Sequence, residues 1–268
     1  MIHVKCQHTR MIEVIGIPAL KDNYIWLLKD PGSGAAAVVD PGDAKPVLAA
    51  LEKENLRLTA ILITHHHGDH CAGVFELYDK FKVPVYGPQL ESIPGCTHPV
   101  GEGASIFLEA LKISFKILDI PGHTIGHIAY VGENLLFSGD TLFTGGCGRL
   151  FEGTAEQMFN SLSKLKRLPP ETKLYCGHEY TLANLKFALT LEPNNQALIE
   201  RLQAVEFRRK AQLSTVPSTL ELELKTNPFL RTDVPDIRLK ANQFAGKKLS
   251  KESDIFLSIR LRKDNFTA

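Results

Sequence analysis

The stretch Thr64-His65-His66-His67-Gly68-Asp69-His70 follows directly on an apolar run, Ala60-Ile61-Leu62-Ile63, and this junction constrains the fold more than any other part of the chain. A short run of aliphatic residues ended by turn formers reads as a buried strand. The histidines therefore stand just past its C-terminal end. The same layout recurs. "AAAVVDPGD" (35–43) is a strand stopped by Asp40-Pro41-Gly42, and "ISFKILDIPGHT" (113–124) ends at Pro121-Gly122-His123. "ENLLFSGDTLF" (133–143) ends at Gly139-Asp140, and "TKLYCGHEY" (172–180) ends at Gly177-His178. In a sheet whose strands run mostly together, such loops gather along one edge. Histidines and aspartates spread over more than a hundred positions are thus expected to converge.

Along an extended strand end, side chains alternate, so His65 and His67 point one way and His66 the other. Gly68 lets the chain turn, and Asp69 and His70 can then face the same pocket. Imidazole and carboxylate donors together suit zinc, iron or manganese better than calcium or magnesium. A histidine triplet alone is equally readable as a solvated tract. His123 or His178 alone reads as a loop histidine, and Asp140 alone as a turn former. Their matching placement after strand ends argues for one site.

Helical patterns separate the strands. "DAKPVLAALEKEN" (43–55) is amphipathic, and "GTAEQMFNSLSKLKRLPP" opens with a capping box, Thr154-x-x-Gln157. From about 181 the texture becomes helical, with a second capping box expected at Ser218-x-x-Glu221. The segment from Ser250 reads as a helix, although its apolar positions 255, 257, 259 and 261 also suit a strand. The expected organisation is a mixed α/β domain over 1–183 and a mainly helical domain over 184–268. Met11 opens an alternating strand-like run; residues 1–10 are less patterned and lack the features of a secretory signal.

Hydrophobic residues make up 44% and charged residues 23% of 268, enough apolar material for a sizeable core. A net charge of +1 gives no global field for nucleic acid or a membrane surface. No apolar run approaches the ~20 residues of a spanning helix. Five widely spaced cysteines without a CxxC fit a reducing compartment, and the cytoplasm is the expected location, with an organelle presequence in 1–10 as the other reading.

"THHHGDH", "PGHTIGH", "SGDTLF" and "CGHEY", in that order, resemble the ligand motifs of the metallo-β-lactamase superfamily. "GGCGRLFEGTAEQM", "YCGHEYTLANLKFA", "VPSTL" and "NPFLR" resemble, more narrowly, the glyoxalase II or hydroxyacylglutathione hydrolase family over nearly the whole chain after residue 11. The resemblance implies an α/β fold, the metallo-β-lactamase-like αβ/βα sandwich, with a C-terminal helical domain and two divalent metal ions. Zinc is the expected ion, with iron or manganese also used in the family. By position, His65, His67 and His123 would hold one ion, and Asp69, His70 and His178 the other. Asp140 would bridge both. His66 has no ligand counterpart, and His127 is read as structural or as a support behind the ligands.

Two divalent ions about 3.5–4 Å apart can share a hydroxide near neutral pH. A thioester suits that apparatus, since its leaving thiolate needs little help from an acid. Asp69 is also a candidate for orienting the hydroxide. Cys71 and Cys147 read as buried thiols rather than nucleophiles. The resemblance implies S-D-lactoylglutathione as substrate, hydrolysed to D-lactate and glutathione in methylglyoxal detoxification. Residues 231–268 hold nine Lys/Arg against five Asp/Glu, a local surplus suited to an anionic ligand. Within "SIRLRKDNF", Arg260 and Lys263 match family residues that hold a glutathione carboxylate. Tyr180 also matches a family substrate residue. The family's Lys-x-Tyr pair after "GGCG" is here Arg149-x-Phe151, which keeps the charge but not the tyrosine hydroxyl. A monomer binding a small molecule is expected. The alternatives are a mononuclear-iron persulfide dioxygenase of the same superfamily and a metal-bound interaction module without catalysis.

Overall fold

Strands buried on both faces need cover on both sides, and the first half of the chain supplies several. The computed structural model describes residues 12–267; the readings made for Met11 and residues 1–10 lie outside them. In chain order come β1 (Glu13–Ala19), β2 (Asn23–Lys29), β3 (Ala35–Val39), α1 (Ala44–Lys53) and β4 (Arg57–Leu62). A single turn, α2 (Gly68–Cys71), then α3 (Val74–Phe81), β5 (Val85–Pro88) and β6 (His98–Val100) follow. These strands form one sheet in the order β1-β2-β3-β4-β5-β6, antiparallel up to β3 and parallel beyond it. Every residue of β3 is buried.

The second half contributes β7 (Ser105–Leu108), β8 (Ile113–Asp119), β9 (Ile128–Gly132) and β10 (Leu135–Gly139). A small hairpin, β11 (Leu142–Phe143) and β12 (Gly146–Cys147), precedes α4 (Ala155–Leu165) and β13 (Lys173–Cys176). Then come α5 (Thr181–Leu191), α6 (Gln196–Lys210), β14 (Ser218–Thr219), α7 (Leu220–Thr226), α8 (Pro235–Ala245) and α9 (Glu252–Asp264). The second sheet has the order β14-β13-β10-β9-β8-β7. Between the sheets lies an aromatic-rich core in which Trp26, Phe115, Tyr130, Phe137 and Tyr175 take part. The outer face of the first sheet is covered through Val47 and Leu51 of α1 and Val74 and Leu77 of α3. On the outer face of the second, Leu136 and Leu174 share a buried layer with Leu162 of α4 and Phe256 and Ile259 of α9. This is the four-layered αβ/βα sandwich. The layer on the second sheet runs continuously from residues before 183 to residues after it.

Register brings the strand-end loops together. β3 and β4 are parallel with Val39 beside Leu62. β10 and β13 are parallel with Gly139 beside Cys176. Because β9 is antiparallel to both β8 and β10, those two strands run the same way. The loops thus leave one end of the sandwich from both sheets, not along one edge of a single sheet as the spacing suggested. Two local expectations also change. The cap of α7 is Thr219, whose side chain accepts from Leu222 N. Ser218 instead lies in β14 and accepts a hydrogen bond from the buried Arg201 guanidinium (3.0 Å). The C-terminal segment is helical, as α9. The Thr154–Gln157 capping box is present with both reciprocal bonds.

Candidate metal centre and cleft

Two trios of ligand atoms form where the loops meet. His65 Nε2 lies 3.1 Å from His67 Nδ1, which lies 3.0 Å from His123 Nε2. Asp69 Oδ2 lies 3.6 Å from His70 Nε2 and 3.4 Å from His178 Nε2. Asp140 stands between them. Its Oδ2 is 3.5 Å from His123 Nε2 and 3.2 Å from His178 Nε2, and its Oδ1 is 3.4 Å from His70 Nε2. In each trio the ligand atoms lie close enough together to hold one ion. His66 points away, toward Glu91 and Glu152, as strand alternation predicted.

Residues that the sequence reading passed over aim these rings. Thr64 Oγ1 gives its one proton to Asp40 Oδ2 (2.7 Å), so it accepts from His65 Nδ1 (3.0 Å) and leaves His65 Nε2 bare. The other oxygen of Asp40 accepts from Thr64 N (2.8 Å), and Oδ2 also accepts from His70 Nδ1 (3.1 Å). His178 Nδ1 donates to Asp22 Oδ1 (2.8 Å), and His123 Nδ1 to Arg149 O (2.9 Å). Asn23 Nδ2 donates to Asp69 Oδ2 (2.9 Å). Such partners fix the tautomer that presents a lone pair to an ion. Asp40 could have been found, since it ends a strand as the ligands do. Asp22, Asn23 and Thr64 carry no such signal. His127 is spoken for at both nitrogens, accepting from Asp140 N (3.1 Å) and donating to Ile128 O (3.1 Å), so it stands behind Asp140 with neither nitrogen left for an ion.

The electrostatics ask for a cation. Burial holds the pKa values of His65, His67 and His123 below the usual imidazole range. Burial also opposes charge on His70 and His178, but Asp140 outweighs it. The His70 pKa is raised well above its ordinary value, and that of His178 to about 10. Asp140 resists burial through the same two rings and stays well below the carboxylate range. Asp69 is held low first by its hydrogen bond with His178. His70 Nε2 and Asp140 Oδ1 are buried and lack a hydrogen-bond partner. Gly177 keeps the approach open, because a Cβ there would come within 2.5 Å of Asp140 Oδ1 and of the His70 ring. Unpartnered donors, convergent lone pairs and paired carboxylates fit divalent metal ions.

The centre opens into a cleft of about 570 Å³ that Arg149, Phe151, Tyr180, Arg260 and Lys263 all line. Tyr180 stacks on the His178 ring (4.7 Å between centroids, 4° between planes). Phe151 presents an edge-to-face contact to His67 and His123 at 5.7 and 5.1 Å and is largely exposed. Arg260 is buried; its Nη1 donates to Cys147 O (2.7 Å) and its Nη2 to Asp264 Oδ1 (3.0 Å). Lys263 is pushed below the usual lysine range by burial, then by Arg260 and Arg149. Three cations are thus gathered at one region of the cleft. Burial lifts the thiols of Cys71 and Cys147 to about 11, as expected of structural cysteines.

Residues 20–178 match the family model described as Metallo-beta-lactamase superfamily, which sets the class to which this fold and site belong. Residues 179–266 match a second model, Hydroxyacylglutathione hydrolase C-terminus. A hydroxyacylglutathione hydrolase of Nitrosomonas eutropha is 51% identical over 256 residues, spanning 96% of this chain and 100% of the relative. The chain therefore belongs to the hydroxyacylglutathione hydrolase family. Among solved structures, ETHE1 from Myxococcus xanthus shares the fold, with TM-score 0.65 and 22% identity over 96% of this chain and 92% of that one. TTHA1623 in a di-iron-bound form aligns with TM-score 0.57 and 27% identity, over 81% of this chain and 100% of that chain.

Proposed function

We propose that the protein hydrolyses S-2-hydroxyacylglutathione thioesters, S-D-lactoylglutathione foremost, to the hydroxy acid and glutathione. The observation that carries this reading is the cleft, in which members of both metal-binding trios share one cavity with Arg149, Arg260 and Lys263. In this reading residues 1–183 provide the metal chemistry, and residues 184–268 complete the substrate site with Arg260 and Lys263.

His65, His67 and His123 would hold one ion and Asp69, His70 and His178 the second, with Asp140 within reach of both trios. Zinc suits the mixed imidazole and carboxylate donors, and the di-iron state of the solved neighbour makes iron the main competitor. When bound, such ions supply Lewis acidity and bring water toward ionisation at neutral pH. Asp69, kept ionised by His178 and steadied by Asn23, accepts a hydrogen bond from the attacking water. Asp140, ionised and buried, keeps the two trios in register. Water adds to the acyl carbon as one of its protons passes to solvent, the C–S bond breaks, and the hydroxy acid departs together with a glutathione thiolate whose conjugate acid has a pKa of about 8.5. No cysteine nucleophile is called for, since the buried thiols near the site stay protonated. Arg149, Arg260 and Lys263 face the glutathione carboxylates, and Tyr180 and Phe151 flank the acyl end.

Among the described residues no helix is long and apolar enough to cross a membrane, and Cys71, Cys96, Cys147 and Cys176 are free. The free thiols suit a reducing compartment, and a cytoplasmic monomer is the working state proposed. The test is thiol release from S-D-lactoylglutathione by metal-replete protein, with ions counted per chain. Absence of thiol release would overturn the activity. One iron per chain with oxygen uptake would favour the dioxygenase instead.

A further inference from the structure

The middle histidine of the triplet, His66, is left without a task by the proposed chemistry, and its surroundings give it one. Glu91 sits in the turn after β5 with its side chain only 4% exposed. Its Oε2 accepts from His66 N (2.6 Å) and lies 2.9 Å from His66 Nδ1. Its Oε1 accepts from Thr124 Oγ1 and from Gly126 N (3.0 Å). One carboxylate therefore ties the loop carrying His65 and His67 to the loop carrying His123. Gly126 is needed for that approach, since a Cβ there would come within 2.5 Å of Glu91 Cγ. Glu152 repeats the link from the open side. Its Oε1 lies 3.2 Å from His66 Nε2, and its Oε2 accepts from Ile125 N (3.0 Å).

Both trios draw their members from the two sheets, but His65, His67 and His123 have no carboxylate among them. Within the trio the two loops meet through the 3.0 Å approach of His67 Nδ1 to His123 Nε2, which uses the lone pairs an ion would take. Their spacing with an ion bound must therefore be held from outside the trio. We propose that Glu91, acting through His66 and the backbone at 124–126, is a positioning residue that sets this spacing and so tunes the affinity of the three-histidine position alone. The Asp69–His70–His178 trio is aimed by Asp22, Asn23 and Asp40 and does not depend on Glu91. The inference rests on the metal assignment proposed above.

The test uses the full chain, stripped and reloaded with Co(II) alone. Binding is followed by the visible d–d spectrum and by chelator competition. Glu91→Gln keeps the volume but lets an amide N–H face a backbone or hydroxyl donor. Loss of an orienting partner weakens metal binding about 10–100-fold. That loss is expected for one of two ions, with the other unchanged and turnover recovering at excess metal. His66→Gln removes only the ring bonds and spares the backbone ones, so a smaller weakening at the same position is expected. It also serves if the Glu91 variant does not fold. Equal weakening of both ions, or wild-type affinity in a folded Glu91→Gln or His66→Gln protein, overturns the proposal. Failure of the wild-type chain to bind two Co(II) ions instead overturns the metal assignment.

Discussion

Lys263 offers the sharpest separation of function from stability. Its ammonium lies 5.8 Å from the Phe187 ring and 5.6 Å from that of Phe266, half-buried beside two guanidinium side chains. Burial and then those like charges hold its pKa below 10.5. Folding therefore disfavours its proton, so the charge costs stability at neutral pH, and the cost fades as pH rises through the folded value. A substrate carboxylate would relieve that crowding. Lys263→Met keeps the aliphatic stem and removes the charge. The loss of one hydrogen bond to a charged group is about 1.5–3 kcal/mol, or roughly 10–150-fold at 1.4 kcal/mol per decade. It should fall on KM, with kcat nearly unchanged, because the glutathione end is held alike in ground and transition states. Urea unfolding at pH 7 should show the variant at least as stable as wild type, with any gain shrinking toward pH 10.5 and above. A KM within twofold of wild type, or a loss confined to kcat, would refute the anion-binding role. A marked loss of stability would refute the crowding argument.

Asp140→Ala should take turnover to background and lower the ions retained per chain, since both trios face that carboxylate; near-normal kcat in a metal-replete variant would exclude a spanning role. Arg260→Ala should cost about 2–4 kcal/mol in urea unfolding, because it strands Cys147 O, breaks the ion pair with Asp264 and removes the packing of the guanidinium 5.1 Å from Phe229. A cost under about 0.5 kcal/mol, the range of ordinary surface substitutions, would mean the guanidinium is not tied in as described. In chelator-stripped protein, the raised pKa of His178 contributes stability that is complete below 6.5 and lost as pH rises through about 10. Melting temperature should therefore fall across that window without metal and stay flatter with it, since bound ions need neutral rings; parallel profiles would refute the coupling.

The features legible in sequence are those whose chemistry is local. Short apolar strands ended by Gly, Pro or Asp marked the ligand loops, and alternation alone turned His66 away from His65 and His67. The Thr154–Gln157 cap needed only a three-residue spacing. What depends on distant partners stayed hidden. Ser218 and Thr219 both offer a cap hydroxyl, and the choice falls to Thr219 because Arg201, from another helix, occupies Ser218. The convergence of loops was legible but not its source in two sheets, since parallel runs look alike whichever sheet they join.

The same division explains the site. Residue type and spacing identify donors, but not which ring nitrogen is bare. That is decided at His65 by a hydroxyl already committed to Asp40, at His123 by the Arg149 carbonyl, and at His178 by Asp22, 156 positions away. The Arg149 carbonyl also couples the two halves of the cleft. The residue whose side chain lines the cleft orients the His123 imidazole with its backbone, so replacing that side chain should leave the bond intact. Arg149→Ala is accordingly expected to raise KM while leaving metal content at the wild-type value. Loss of an ion in that variant would show that the side chain, through its 3.6 Å contact with Asp264, also holds the loop in place.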